Sequence, residues 1–267
     1  MKEVVTRGLS GALYAFLLIL SIFLNEYVFL GLIFIFGLIC IHELQRLLKL
    51  ESYLSYVLLV VFFLAFSVFK WNVYAQWLLW IVTFLVKILL IKDLMTFNKI
   101  PLFEGKKYIL IIFYLIASVI FITLIPYYNQ DYHPEVLLSI FALMWTNDTF
   151  AYLIGKNFGK RKLFERISPK KTIEGFMGGL IFSLLLSLLA HYITKDFTYL
   201  IWLGIGLLVS VFGTYGDLIQ SKLKRQAQVK DSGTLMPGHG GLLDRLDSIL
   251  FTSTFVYGYL LIIQYVS

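Results

Sequence analysis

Nine apolar stretches separated by brief polar breaks run through the chain, at about residues 8–24, 27–42, 52–69, 73–91, 108–125, 135–154, 174–193, 198–219 and 249–266. A helix of about 20 apolar residues spans the hydrocarbon core of a bilayer, and these stretches are close to that length. Composition agrees with the pattern. The chain is 59% hydrophobic and 15% charged, against roughly 45–50% and about 25% in water-soluble domains. Most of its surface must therefore face something other than water, which excludes an ordinary soluble enzyme. An all-α integral membrane protein with about nine transmembrane helices is expected. It forms one polytopic domain over 1–267, since no repeat, low-complexity tract or Ser/Pro-rich linker divides it. Chemistry is confined to short loops and helix ends.

The basic residues test this segmentation. Of the 23 Lys and Arg, the N-terminus holds Lys2 and Arg7, and the second polar break Arg46 and Lys49. The fourth holds Lys92, Lys99, Lys106 and Lys107. The sixth carries seven between Lys156 and Lys171, and the eighth carries Lys222, Lys224, Arg225, Lys230 and Arg245. Every other break together supplies only Lys70 and Lys195, with Lys87 inside the fourth stretch. Cytoplasmic loops are the ones enriched in Lys and Arg, so the N-terminus is expected in the cytoplasm and the C-terminus outside. The excess of positive charge is an orientation signal, and no nucleic-acid partner is expected. Ser21 to Asn25 offers no small-x-small cleavage site, so the first stretch is expected to be a retained helix and not a signal peptide. Cys40, the one cysteine, is expected to be a buried packing thiol.

Unusual residues gather in the last half. Residues 1–125 read mainly as scaffold helices, and 135–267 as the segment carrying the chemistry. Asp148 lies within the sixth apolar stretch, where an acid costs roughly 2.5 to 3.5 kcal/mol unless it faces water or a partner. It is either a site residue or half of a structural ion pair. Ser168 and Pro169 fit the start of a helix, with Ser168 as cap and Pro169 in its first turn. Lys170, Lys171 and Thr172 would then surround an anion-binding helix terminus. Gly175 and Gly179 form a small-xxx-small pair suited to close helix packing.

The densest stretch is 216–248. Helical spacing puts Asp217, Ser221 and Lys224 or Arg225 on one face. Pro237-Gly238-His239-Gly240-Gly241 forms a loop whose glycines allow backbone N–H groups to turn inward around an anion. His239 is either a loop hydrogen-bonder or a catalytic group. Asp244, Asp247 and Ser248 then share a face at the start of the ninth helix. Carboxylates beside Lys and Arg point to a divalent cation with a polyphosphate, because hard oxygen ligands hold Mg²⁺ while the basic groups neutralise phosphate oxygens.

These residues resemble the long C-terminal motif of phosphatidate cytidylyltransferases. The match runs through Ser221, Lys224-Arg225, Lys230-Asp231, Gly233, Pro237, His239-Gly240-Gly241 and Asp244-Arg245-Leu246-Asp247. It continues upstream at Asp148-Thr149, Ala151-Tyr152, Gly155, Phe158-Gly159-Lys160, Ser168-Pro169, Lys171-Thr172 and Glu174-Gly175. Three positions depart from the pattern: Met236, Gln220 where Glu is common, and Ile173 where Trp is common. The resemblance implies that CTP and phosphatidate give CDP-diacylglycerol and pyrophosphate at the cytoplasmic membrane face, in phospholipid biosynthesis; with no long hydrophilic N-terminal extension or transit peptide in the sequence, a bacterial plasma membrane is expected. The resemblance also implies Mg²⁺, with room for a second metal ion, held by Asp217 and Asp244, with Asp247 and Asp148 as further candidates. Lys224, Arg225, Lys230 and Arg245 would hold triphosphate or pyrophosphate, helped by the backbone of Gly240 and Gly241. Ser168, Lys170, Lys171 and Thr172 would grip either the nucleotide or the lipid phosphate, and Ser221 and His239 complete the substrate-binding set. Membrane lipid and a second copy of the chain in a homodimer are the remaining expected partners.

Two other classes fit parts of the pattern. A transporter would spread ionisable residues through the bundle or show paired broken helices near the midplane, whereas here they gather at one face. A CTP-dependent polyprenol kinase would share the nucleotide. The CDP-alcohol phosphotransferases require an Asp-Gly-x-x-Ala-Arg run, which this sequence lacks.

Overall fold

The computed structural model describes residues 2–96, 99–128 and 131–266; the side chains of Lys2 and Arg7, counted above, lie outside the described ones. Nine helical segments are described: α1 Lys2–Leu24, α2 Glu26–Leu48, α3 Leu54–Val68, α4 Val73–Thr96 and α5 Glu104–Leu124. The others are α6 Pro134–Phe158, α7 Ile173–Thr194, α8 Tyr199–Gln226 and α9 Leu243–Val266. Six of them, α2 and α5 to α9, are long and apolar enough to cross a membrane, and shorter apolar helices occupy Gly8–Leu24 and Leu54–Val68. The chain is therefore a mostly helical membrane protein. Two short antiparallel hairpins interrupt it, β1 Tyr127–Tyr128 with β2 Asp131–Tyr132 and β3 Lys162–Phe164 with β4 Ser168–Thr172.

The second hairpin corrects one expectation. Ser168 and Pro169 do not start a helix: Ser168 pairs with Phe164 and Thr172 with Lys162 across the hairpin. Pro169 is accommodated because a two-stranded ribbon leaves an edge on which a missing N–H breaks no ladder bond. The cap of α7 falls instead on Thr172, whose backbone is extended and whose hydroxyl accepts the Gly175 N–H at 3.1 Å. A threonine oxygen serving the third N–H of a helix is ordinary N-capping chemistry.

The glycine pair at 175 and 179 brings α7 against α6. A Cβ on Gly175 would stand 2.6 Å from the Ala151 carbonyl, and one on Gly179 would stand 2.7 Å from the Asn147 carbonyl. Only hydrogen atoms fit between the two backbones there. Close approach of small residues is the usual means of holding helices together where lipid removes the hydrophobic driving force. Gly179→Val is expected to lower stability by about 1–3 kcal/mol through overpacking, read by thermal unfolding in detergent. Gly8→Val, at a glycine with nothing within 4 Å of its would-be Cβ, is expected to leave the transition in place.

Lys87 ties the scaffold to the C-terminal helices. It is fully buried on α4, and its ammonium donates to Ser118 Oγ at 2.7 Å, the Leu250 carbonyl at 2.6 Å and the Phe251 carbonyl at 3.0 Å. A buried intramembrane lysine survives when carbonyls replace its water. At the basic end, Lys222 of α8 donates to the Asp93 and Leu94 carbonyls at 3.0 Å each. Gln226 exchanges hydrogen bonds with the backbone of Ile100. These contacts draw the ends of α4 and α8 together.

Candidate active site

The helices carrying the acids run further than the apolar stretches that announced them. α8 continues to Gln226 and α9 begins at Leu243, so Asp217, Ser221, Lys224, Asp244 and Asp247 all sit on helical backbone. Between α6, β4, α7, α8 and the start of α9 lies a cavity of about 760 Å³. Of the expected site residues it collects Asp148, Ser168, Lys170, Lys171, Thr172, Asp217, Lys224, Asp244, Arg245 and Asp247. Asn147, Lys156, Lys162, Thr214 and Asp231 also line it, although none of them was among the expected site residues. Helical spacing offers a signal for two of them: Asn147 flanks Asp148, and Thr214 precedes Asp217 by about one turn.

Charge alternates across this cavity. Lys171 forms an ion pair with Asp217, whose other oxygen accepts the Ser221 hydroxyl at 3.1 Å. Burial alone would depress the Lys171 ammonium, but the Asp217 carboxylate beside it holds its pKa above the ordinary lysine value. A lysine raised in this way keeps its charge, and the pairing it supports, below the unfolded value of about 10.4, losing both only at still higher pH. Asp148 accepts from the Asn147 amide at 3.3 Å. Asp148, Asp217 and Asp247 all line the cavity, so the three carboxylates face a common space.

Asp244 is differently placed. Its Oδ1 accepts from Lys224 Nζ at 2.6 Å and Gln220 Nε2 at 3.2 Å. Its Oδ2 accepts from Ser232 N at 2.7 Å, Ser232 Oγ at 3.1 Å and Gly241 N at 3.0 Å. The glutamine that departs from the resembled pattern therefore donates to a carboxylate where a glutamate would repel it.

The glycine loop also differs from expectation. Gly238 and Gly240 have φ of 75° and 86°, a region glycine enters freely. However, the Gly240 N–H donates to the Met236 carbonyl and the Gly241 N–H to Asp244. The anion the loop cradles is thus a carboxylate of its own chain, and these two N–H groups are engaged before any substrate arrives. The His239 ring meets Ser10 of α1 with Nδ1 at 2.7 Å from the hydroxyl, the loop hydrogen-bonding alternative. His239, Gly240 and Lys230 line a second cavity of about 520 Å³, which shares Asp231 and Arg245 with the first. Arg225 joins neither cavity: it is exposed, and Nη1 donates to the Val229 carbonyl.

Glu43 was missed. This carboxylate of α2 is 3% exposed and accepts from Ser232 Oγ at 2.7 Å, Leu242 N at 3.0 Å and Leu243 N at 2.9 Å. Together with Ser10 it shows that the scaffold half reaches the loop of the C-terminal half. His133, Glu135 and Asp196 form a separate group, with ligand atoms within 4.8 Å of one another. His133 and Glu135 sit at the start of α6 and Asp196 between α7 and α8, and none of the three lines the cavity. The His133 ring stands 3.4 Å from each carboxylate.

A cavity walled by lysines and carboxylates at one end of an apolar bundle suits a membrane enzyme of the nucleotidyltransferase class. The chain belongs to the Cytidylyltransferase family, which matches residues 5–263. It is 34% identical over 277 aligned residues to the phosphatidate cytidylyltransferase of Bacillus subtilis (strain 168), covering 96% of this chain and 97% of that protein. Over 117 residues it is 52% identical to the phosphatidate cytidylyltransferase of Staphylococcus aureus (strain COL), a stretch covering 43% of this chain and 45% of that one. The Staphylococcus haemolyticus protein of the same name is 49% identical over 117 residues.

Proposed function

We infer that this chain transfers a cytidylyl group from CTP to phosphatidate, giving CDP-diacylglycerol and pyrophosphate. The phosphate oxygen of phosphatidate forms a bond to the α-phosphorus of CTP, and the bond from that phosphorus to the bridging oxygen of pyrophosphate breaks. The nucleophile is anionic near neutral pH, so no side chain has to remove a proton. What the protein must do is bring two polyanions together and neutralise the charge that moves to the leaving group. The single observation that carries this reading is the shared cavity, where Lys170, Lys171, Lys224 and Arg245 face the same space as Asp148, Asp217 and Asp247.

The donor set fits a divalent metal. Asp148, Asp217 and Asp247 line the cavity from three helices and offer hard oxygens, as Mg²⁺ prefers, whereas Asp244 already accepts five hydrogen bonds. Asp217 and Asp247 are therefore the residues best placed to hold the ion, with Asp148 beside them and Asp244 organising the loop and α9. Bound there, magnesium would withdraw charge from the phosphate oxygens. Lys224 and Arg245 line the cavity and are the cations proposed to meet triphosphate or pyrophosphate. Lys170 and Lys171, on β4, line the same cavity, with Lys171 paired to Asp217.

Nine membrane crossings, with the N-terminus in the cytoplasm of a bacterial cell and the cavity at the inner face of its plasma membrane, complete the reading. The one-sided distribution of Lys and Arg supports it, as do the contacts that bring α4 to α8 and α2 to the start of α9 at the same end of the bundle. A site at that boundary receives CTP from water and phosphatidate from the leaflet without lifting acyl chains out of lipid. Purified protein with Mg²⁺, labelled CTP and phosphatidate is expected to release pyrophosphate and form labelled CDP-diacylglycerol in equal amounts. Pyrophosphate release that does not depend on phosphatidate, or none at all in lipid that preserves folding, would remove the assignment.

A further inference from the structure

The N-terminus of α9 lacks a cap of its own. The Leu242 carbonyl accepts the first helical hydrogen bonds, from the N–H groups of Arg245 and Leu246, so Leu242 occupies the capping position. A leucine has no oxygen with which to receive the orphan N–H groups of the first turn, where Ser, Thr, Asp or Asn is normally found. Those N–H groups belong to a buried segment, in which an unmet donor costs about 1–3 kcal/mol.

The missing acceptor comes from two hundred residues away in the chain. Glu43 of α2 receives the Leu242 N–H on Oε1 at 3.0 Å and the Leu243 N–H on Oε2 at 2.9 Å. A carboxylate at this end of a helix also meets the positive end of its dipole. The fit is specific to glutamate in this socket: a Cβ on Gly233 would stand 2.5 Å from Glu43 Oε1, and one on Gly241 would overlap Oε2. Both glycines therefore leave space for this side chain.

The same carboxylate reaches the site through one intermediary. Ser232 donates its hydroxyl toward Glu43 Oε2 at 2.7 Å and lies 3.1 Å from Asp244 Oδ2. The Ser232 N–H is also held by Asp244, at 2.7 Å. Glu43 thereby ties α2 to the first residues of α9 and to the 232–241 loop. Asp244, Arg245 and Asp247 all lie within the next turn and a half.

We propose that Glu43 is a positioning residue for cytidylyl transfer: a cap supplied by α2 that places α9 and its acidic and basic side chains in the cavity. This rests on the activity inferred above. Because the cap touches no substrate, its removal is expected to lower the rate of the bound complex more than substrate binding. A displacement of about 1 Å in reacting groups costs about 100-fold in rate.

The experiment compares Glu43→Ala and Glu43→Gln with wild type in detergent, with every rate expressed per CTP-binding site measured on the same sample. Glu43→Ala is expected to lower kcat about 100-fold and Glu43→Gln about tenfold, with the KM for CTP within about threefold of wild type in both. Glutamine keeps the shape and one acceptor oxygen, so partial rescue is the signature of a cap. Should Glu43→Ala fail to bind CTP because it does not fold, Glu43→Gln decides alone. A kcat within about threefold of wild type in a CTP-binding variant overturns the proposal, as does a loss confined to KM or one fully explained by fewer binding sites. Wild type without phosphatidate-dependent turnover would instead remove the activity on which it stands, a separate result.

Discussion

Asp217→Asn is expected to lower cytidylyl transfer by about 10³-fold while the protein folds and melts nearly as wild type. The two halves of this expectation have different causes. Asp217 is about one-third exposed to the cavity and so is its partner Lys171, so water can solvate the lysine when the carboxylate is neutralised. Partly exposed ion pairs contribute about 0–1 kcal/mol, and the asparagine oxygen can still accept from Ser221. Catalysis has no such substitute. The variant removes a hard anionic oxygen facing the cavity and leaves Lys171 with an unbalanced charge toward the triphosphate. Loss of one preorganised electrostatic group in an active site costs about 10²–10³ in rate, and loss of a metal ligand adds to it. The measurement is phosphatidate-dependent pyrophosphate release at saturating CTP, alongside thermal unfolding. Turnover within tenfold of wild type would remove Asp217 from the reaction.

Asp217 was also visible in the sequence, and the reason shows what such reading can reach. A carboxylate at the end of an apolar stretch has few explanations other than a wet site or a partner, and lipid imposes that economy on every helix of the chain. The same economy made the nine helical segments legible. It failed at their ends: 198–219 became Tyr199–Gln226, and 249–266 became Leu243–Val266. Apolar runs stop at the first charges, whereas the helices continue because those charges face a polar cavity. Ser168 and Pro169 were misplaced because a serine followed by a proline starts helices and enters short ribbons alike. The choice between them rests on pairing with Lys162–Phe164, which has no local signature. Glu43 was illegible for another reason. Its acceptors are spent on N–H groups of Leu242 and Leu243, and backbone donors leave no mark in a sequence. The glycine loop misled in the same way, since a cradle for an anion reads identically whether the anion is a phosphate or the carboxylate of Asp244.

That last distinction separates two aspartates that the sequence placed together as metal ligands. Asp244→Asn is expected to lose both stability and activity, unlike Asp217→Asn. Its side chain is 3% exposed and its partner Lys224 12%. Three donors converge on one oxygen of Asp244 and two on the other. An asparagine, whichever way it is turned, points its NH₂ group at two or more donors and leaves that set without an acceptor. Lys224 is left charged, buried and without its carboxylate, and breaking a buried pair on one side costs about 3–5 kcal/mol. The Ser232–Gly241 loop loses the anion around which it is wound, and the α9 residues facing the cavity move with it. Thermal unfolding in detergent is expected to shift down accordingly, with turnover reduced by about 10²-fold or more even well below the transition. Adding Lys224→Met in the Asp244→Asn background removes the orphaned charge, and about half of the lost stability is expected to return. Activity is not expected to return, because the double variant also lacks a cation that faces the leaving pyrophosphate. An Asp244→Asn protein that melts with wild type would mean that the five hydrogen bonds contribute nothing to the fold. A double variant that recovers turnover would place the whole effect in the orphaned lysine and none in the position of α9.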